Sequence, residues 1–206
     1  KLKADHPLLH ATFEGGRRNQ FDTFAGIWTG VPIALLIIYS LLALQFRSYF
    51  QPLIVMAAIP FGLVGAVLGH LLLGYNLSIV SALGLLALTG IVVNDSLILV
   101  DYVNKRRNDG TPAFQAAVEG GIRRFRPILL TSLTTFFGLL PMIFEQSLQA
   151  RFIVPMAIGL AFGVLFATFI ILVLIPVLYL ILEDFRRLYV PESTEQKKIT
   201  KVSTAS

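Results

Sequence analysis

The chain has 206 residues, of which 55% are hydrophobic and only 14% charged, and its mean hydropathy is +0.75. A soluble domain of this size cannot cover so much apolar surface, so the chain is an integral membrane protein. Its formal charge of +5 raises the question of nucleic acid, but the basic residues flank apolar runs instead of forming a stripe interleaved with aromatics, so no nucleic-acid partner is expected.

Residues 1–26 are polar and too few to bury a core of their own. They begin Lys1-Leu2-Lys3 without an initiator Met and lack an apolar core of signal-peptide length. They read as the end of an extramembrane portion of a longer protein. Cysteine is absent, which excludes disulfides and thiolate metal sites.

Five apolar segments follow, approximately 27–46, 52–73, 77–102, 127–144 and 152–182. Each is near or above the roughly 20 residues that cross about 30 Å of hydrocarbon as a helix. The expected fold is an all-α membrane protein with five transmembrane helices, closed by a tail over 183–206. Membrane lipids are its first partners.

The connections differ sharply in charge. Gly74-Tyr75-Asn76 is a tight uncharged turn, whereas the link between the third and fourth segments carries Lys105, Arg106, Arg107, Arg123, Arg124 and Arg126. Assigning alternate loops to one side places twelve of the 17 Lys and Arg there. Short cytoplasmic loops are the positive ones, so the C-terminus is expected inside and the N-terminus outside.

Within the basic link, Thr111 and Pro112 suit the start of a helix, and Phe114, Ala117, Val118 and Ile122 recur at helical spacing. This predicts an amphipathic helix over 112–126 on the cytoplasmic face. Gly26 and Gly30, Gly65 and Gly69, and Gly159 and Gly163 lie four residues apart, a spacing that lets helix backbones approach closely. His6, His10 and His70 have no carboxylate cluster beside them, so no metal site and no cofactor is expected.

The chemistry concentrates in Gly90-Ile91-Val92-Val93-Asn94-Asp95-Ser96-Leu97-Ile98-Leu99-Val100-Asp101-Tyr102. An ionisable residue in a spanning helix is costly and is rarely kept without a partner or a task. Wound at 100° per residue, the helix places Ala87, Gly90, Asn94 and Asp101 within about 40° of one another, with Asp95 on the adjacent flank. So wide a polar sector is expected to face the bundle interior or a hydrated cavity. A coupling or proton-relay role for Asp95 is the favoured reading over a structural interhelical hydrogen bond. In the fourth segment Thr131, Thr134, Thr135 and Gly138 share one face, joined by Arg124 if the helix runs through Pro127. Hydroxyls in membrane helices also bond back to their own carbonyls, which is the structural alternative for Thr131.

These residues, followed by Arg124-Phe125-Arg126-Pro127-Ile128-Leu129-Leu130-Thr131-Ser132-Leu133, resemble the resistance-nodulation-division (RND) efflux transporters, specifically the last five spans of the second membrane half. The resemblance covers nearly all of 13–187, including Leu44-Gln45-Phe46-Arg47-Ser48-Tyr49 and Ile59-Pro60-Phe61-Gly62. It implies a homotrimeric pump of the bacterial inner membrane, driven by proton influx and working with a periplasmic adaptor and an outer-membrane channel, with the N-terminus of this sequence periplasmic. The N-terminal half of the same protein would then be missing from this sequence. In drug-exporting members, acids of that half are read against a Lys in the span matching Gly90 to Tyr102, and a Thr and an Arg of the next span complete the relay. Here the Thr position is Thr131 and the Arg position is Arg124. The Lys position holds Asn94, and the next, commonly Asn, holds Asp95.

The resemblance thus implies proton-driven efflux, with Asp95, Asn94, Thr131 and Arg124 as coupling residues and no catalytic ones. The alternatives are an RND-like lipid or protein-export factor and a non-transporting scaffold bundle. An intramembrane aspartyl protease needs two acids sharing a site. Only Asp95 lies deep within a segment, so enzymatic function is not expected.

Overall fold

The computed structural model of the chain describes residues 16–189, all-α throughout. Its helices are α1 (Gly16–Phe46), α2 (Gln51–Met56), α3 (Ile59–Leu73), α4 (Ile79–Asn108), α5 (Ala113–Ile143) and α6 (Ala150–Tyr189). By length and composition α1, α2 with α3, α4, α5 and α6 make five membrane-spanning stretches. His6, His10, Lys197, Lys198 and Lys201 lie outside the described residues. Two compact units divide the chain, Lys1–Ile37 and Ile38–Ser206. In the first, Thr29 bonds through its hydroxyl to the Gly26 carbonyl one turn back; the second holds the core.

The sequence pattern gave 52–73 as one run, whereas the structure breaks it between α2 and α3. Pro60 has no N–H for the carbonyl of Met56, so the ladder cannot continue there. A tighter turn at Ala57 and Ala58 takes its place, Ala58 N–H reaching Val55 O at 3.3 Å. Both Pro52 and Pro60 stand in the first turn of their helices, where that missing donor does least harm.

After α4, the predicted connecting helix and the fourth apolar segment join into the single 31-residue α5, Ala113–Ile143, with Pro127 inside it. Pro112, not Thr111, occupies the N-cap position, without a side-chain cap.

Within the second unit, α3, α4 and α5 all pack against α6. Leu88, Val92, Leu99 and Val103 form the inward face of α4 and meet Val164, Ala167, Ile171 and Ile175 of α6. Spacing of three and four residues puts each set on one side of its helix. A second cluster joins Ile143 to Val154, Ile158 and Ala161.

Close helix approach rests on missing side chains. A Cβ on Gly65 would lie 2.4 Å from the Cβ of Phe166, and one on Gly84 would lie 2.8 Å from the Met156 carbonyl oxygen. Of the other predicted small-residue positions, Gly69 and Gly163 are equally crowded, while Gly26 and Gly30 have nothing within 4 Å of such a Cβ.

At one end of the bundle, His70 of α3 is buried at 2% exposure. Its Nδ1 lies 2.9 Å from the Ala66 carbonyl oxygen and its Nε2 2.9 Å from Ser81 Oγ. A carbonyl only accepts, so Nδ1 carries the hydrogen there. Ser81 also closes a capping box with Ser78, which starts α4. At the other end Gln51 and Asn104 exchange amide hydrogen bonds of 3.0 and 2.9 Å. The Tyr179 hydroxyl donates to the same Asn104 oxygen at 2.8 Å, so α2, α4 and α6 meet in one polar knot.

Candidate functional site

Asp95 lies in the middle of α4 and is 7% exposed. Among the described residues its carboxyl has neither a hydrogen-bond nor an ion-pair partner. Beside it Ser96 is fully buried, and its hydroxyl is also unpartnered. Two adjacent polar groups are therefore held in an apolar helix pair with no internal compensation.

Asn94 points elsewhere. It is exposed, as are Ala87 and Gly90, so this small polar stripe lies on the uncovered side of α4, opposite Leu88, Val92 and Leu99. The sequence expectation turned this sector toward the bundle interior or a hydrated cavity. Among the described residues the bundle interior is filled by the apolar face that packs on α6, and Asp95 sits at the boundary between the two faces.

On α5, Thr131 and Thr134 are exposed, and a Cβ on Gly138 would meet nothing within 4 Å. The Thr131 hydroxyl donates to the Ile128 carbonyl at 2.8 Å, and that of Thr135 to the Thr131 carbonyl at 2.9 Å. These hydroxyls bond within their own helix, the structural alternative for such residues. Ser132, one residue on, is buried and reaches Thr168 of α6.

Because α5 runs unbroken through Pro127, Arg124 and Thr131 lie seven residues apart on one face. The Arg124 guanidinium carbon stands 5.2 Å from the centre of the Tyr102 ring, and its Nε is buried without a hydrogen-bond partner. Asp95, Asn94, Thr131 and Arg124 make no hydrogen bond or ion pair with one another.

Three ion pairs hold other charges at this end. Lys105 holds Asp101 at 2.8 Å, Arg106 holds Glu119 at 2.6 Å, and Arg107 pairs with Glu183. The sequence reading missed Tyr102 as the neighbour of Arg124. The available signal was an aromatic ring seven residues beyond Asp95, on the same face of α4.

Residues 9–183 match the model of the AcrB/AcrD/AcrF family. The chain belongs to this family of RND efflux transporters. Cobalt-zinc-cadmium resistance protein CzcA of Cupriavidus metallidurans is 34% identical over 72% of the chain and 14% of that protein. Swarming motility protein SwrC of Bacillus subtilis is 30% identical over 90% of the chain and 18% of its own length. Multidrug resistance protein MdtC of Erwinia amylovora is 30% identical over 75% and 15% respectively. The crystal structure of a heavy metal efflux pump superposes with a TM-score of 0.75 at 26% identity, over 89% of this chain and 19% of that one. The RND chain described here therefore spans less than a fifth of the length of these relatives.

Proposed function

We propose that these helices belong to a proton-driven inner-membrane exporter and carry part of its coupling machinery, with Asp95 as the group that gains and loses a proton. The observation that carries this reading is a carboxyl at 7% exposure without an internal partner, midway along an apolar helix. Charge at such a place is costly unless something compensates it. Its charge state must therefore follow what approaches from the uncovered side. Asn94, Thr131 and Arg124 line or flank that region and complete the coupling set.

The uncovered stripe of Ala87, Gly90, Asn94, Thr131 and Gly138 offers small and polar surface to further helices of a longer protein. The N-terminal half implied by the family is the occupant that fits it. Twelve of the 17 Lys and Arg fall on the side of the α4–α5 loop, which supports a cytoplasmic C-terminus and a periplasmic N-terminus. A homotrimer working with a periplasmic adaptor and an outer-membrane channel is the assembly the family implies.

The test is Asp95→Asn in the full-length protein, reconstituted in vesicles with an imposed pH gradient. Loss of gradient-driven efflux with unchanged assembly is expected. Unchanged efflux would refute the reading, and a scaffold would reveal itself by altered assembly at unaltered flux.

A further inference from the structure

At the α4–α5 loop end, nearby carboxylates on α4, α5 and α6 are already bound to another cation. Asp101 is taken by Lys105, Glu119 by Arg106 and Glu183 by Arg107, while Asp109 lies 4.0 Å from Arg106 and Asp184 is exposed. Arg123 and Arg126 are exposed on α5. Arg124 differs from all of these: it is half-buried, it has no carboxylate, and its neighbour is the face of Tyr102.

Local packing builds this contact. One turn before Arg124, Gly120 lies so close to α4 that a Cβ there would be 2.8 Å from Val103 Cγ2 and 3.4 Å from Tyr102 Cδ1. The missing side chain brings α5 against α4 and sets the guanidinium over the ring. A ring face attracts a cation without neutralising it, unlike a carboxylate. Tyr102 also lies seven residues from Asp95, two turns and about 10 Å along the same face of α4. The buried acid and the half-buried cation left without counter-ions thus occupy one side of the same helix pair.

We propose that Tyr102 is a positioning residue for proton coupling: its ring holds the Arg124 guanidinium between α4 and α5 as an uncompensated positive charge, two helical turns from Asp95. The inference rests on the coupling role given to Asp95 above. A carboxylate in place of the ring would cancel the charge, and an aliphatic side chain would release it to solvent beside Arg123 and Arg126.

The experiment uses the full-length protein in vesicles, with ethidium or zinc ion as the transported probe and efflux measured against pH. Tyr102→Leu is expected to lower the maximal rate by about five- to thirtyfold, the range of a desolvated cation–π contact. It should also displace the pH profile while leaving half-saturation by the probe unchanged. Tyr102→Phe keeps the ring face and should restore both rate and profile. In an Arg124→Gln background, Tyr102→Leu should add nothing. A Phe variant as impaired as the Leu variant would overturn the proposal, as would a Leu variant with wild-type rate and profile while Asp95→Asn abolishes efflux. Wild-type efflux in Asp95→Asn removes the coupling role itself and the inference with it.

Discussion

Gly65 of α3 and Phe166 of α6 stand so close that a Cβ on the glycine would lie 2.4 Å from the phenylalanine Cβ and 2.8 Å from the Phe162 carbonyl oxygen. Neither of those atoms belongs to a movable side-chain tip, so relief requires the two helices to separate. Gly65→Ala is therefore expected to destabilise the bundle by about 1–3 kcal/mol. Thermal unfolding of the full-length protein in detergent checks this. Adding Phe166→Ala should give no rescue, because alanine keeps the offending Cβ.

The His70–Ser81 bridge supports a second expectation. Ser81→Ala removes the partner of a ring nitrogen that is sealed from solvent and also opens half of the capping box. A loss of about 1–3 kcal/mol follows from the unsatisfied polar atom. Ser78→Ala removes only the cap, a loss of about 1 kcal/mol. Unfolding of the two variants side by side should rank Ser81→Ala as the more damaging, and the reverse order would contradict the bridge.

The uncovered polar stripe also predicts behaviour in isolation. Gly90, Asn94, Thr131 and Gly138 present small and polar surface where a membrane helix ordinarily presents large apolar side chains to lipid. The 206-residue chain expressed alone is expected to self-associate or aggregate in detergent. Light scattering that returns a monodisperse monomer would argue against a missing helical partner.

Much of this architecture is legible in the sequence because a bilayer imposes a length and an apolar composition on every span. The five apolar runs and the helical state follow from that constraint alone. Which side of α4 faces inward does not follow, since a small polar stripe suits a bundle interior and a docking face for absent helices equally well. Local chemistry also left the continuity of α5 open: Pro127 weakens the helix there, yet packing on α4 and α6 holds it through. The contacts of Arg124 with Tyr102 and of Gln51 with Asn104 join residues far apart in the chain. No periodicity betrays the second, and only the seven-residue spacing of Tyr102 from Asp95 hints at the first.

The Gln51–Asn104–Tyr179 knot lends itself to a double-mutant test. Asn104 accepts from both Gln51 and Tyr179 through one oxygen and donates to Gln51 through its amide. Replacing it by leucine removes all three bonds together, so a later Tyr179→Phe change no longer removes the bond to Asn104. The coupling between Asn104→Leu and Tyr179→Phe is expected near 0.6 kcal/mol, the average for polar contacts between membrane helices, and at most about 1.7 kcal/mol. Strict additivity in unfolding free energies would mean that the Tyr179 hydroxyl is not energetically tied to Asn104. A coupling in the expected range would show that α4 and α6 are joined at this end by polar contact as well as by the apolar seam of Leu99, Val103, Ile171 and Ile175.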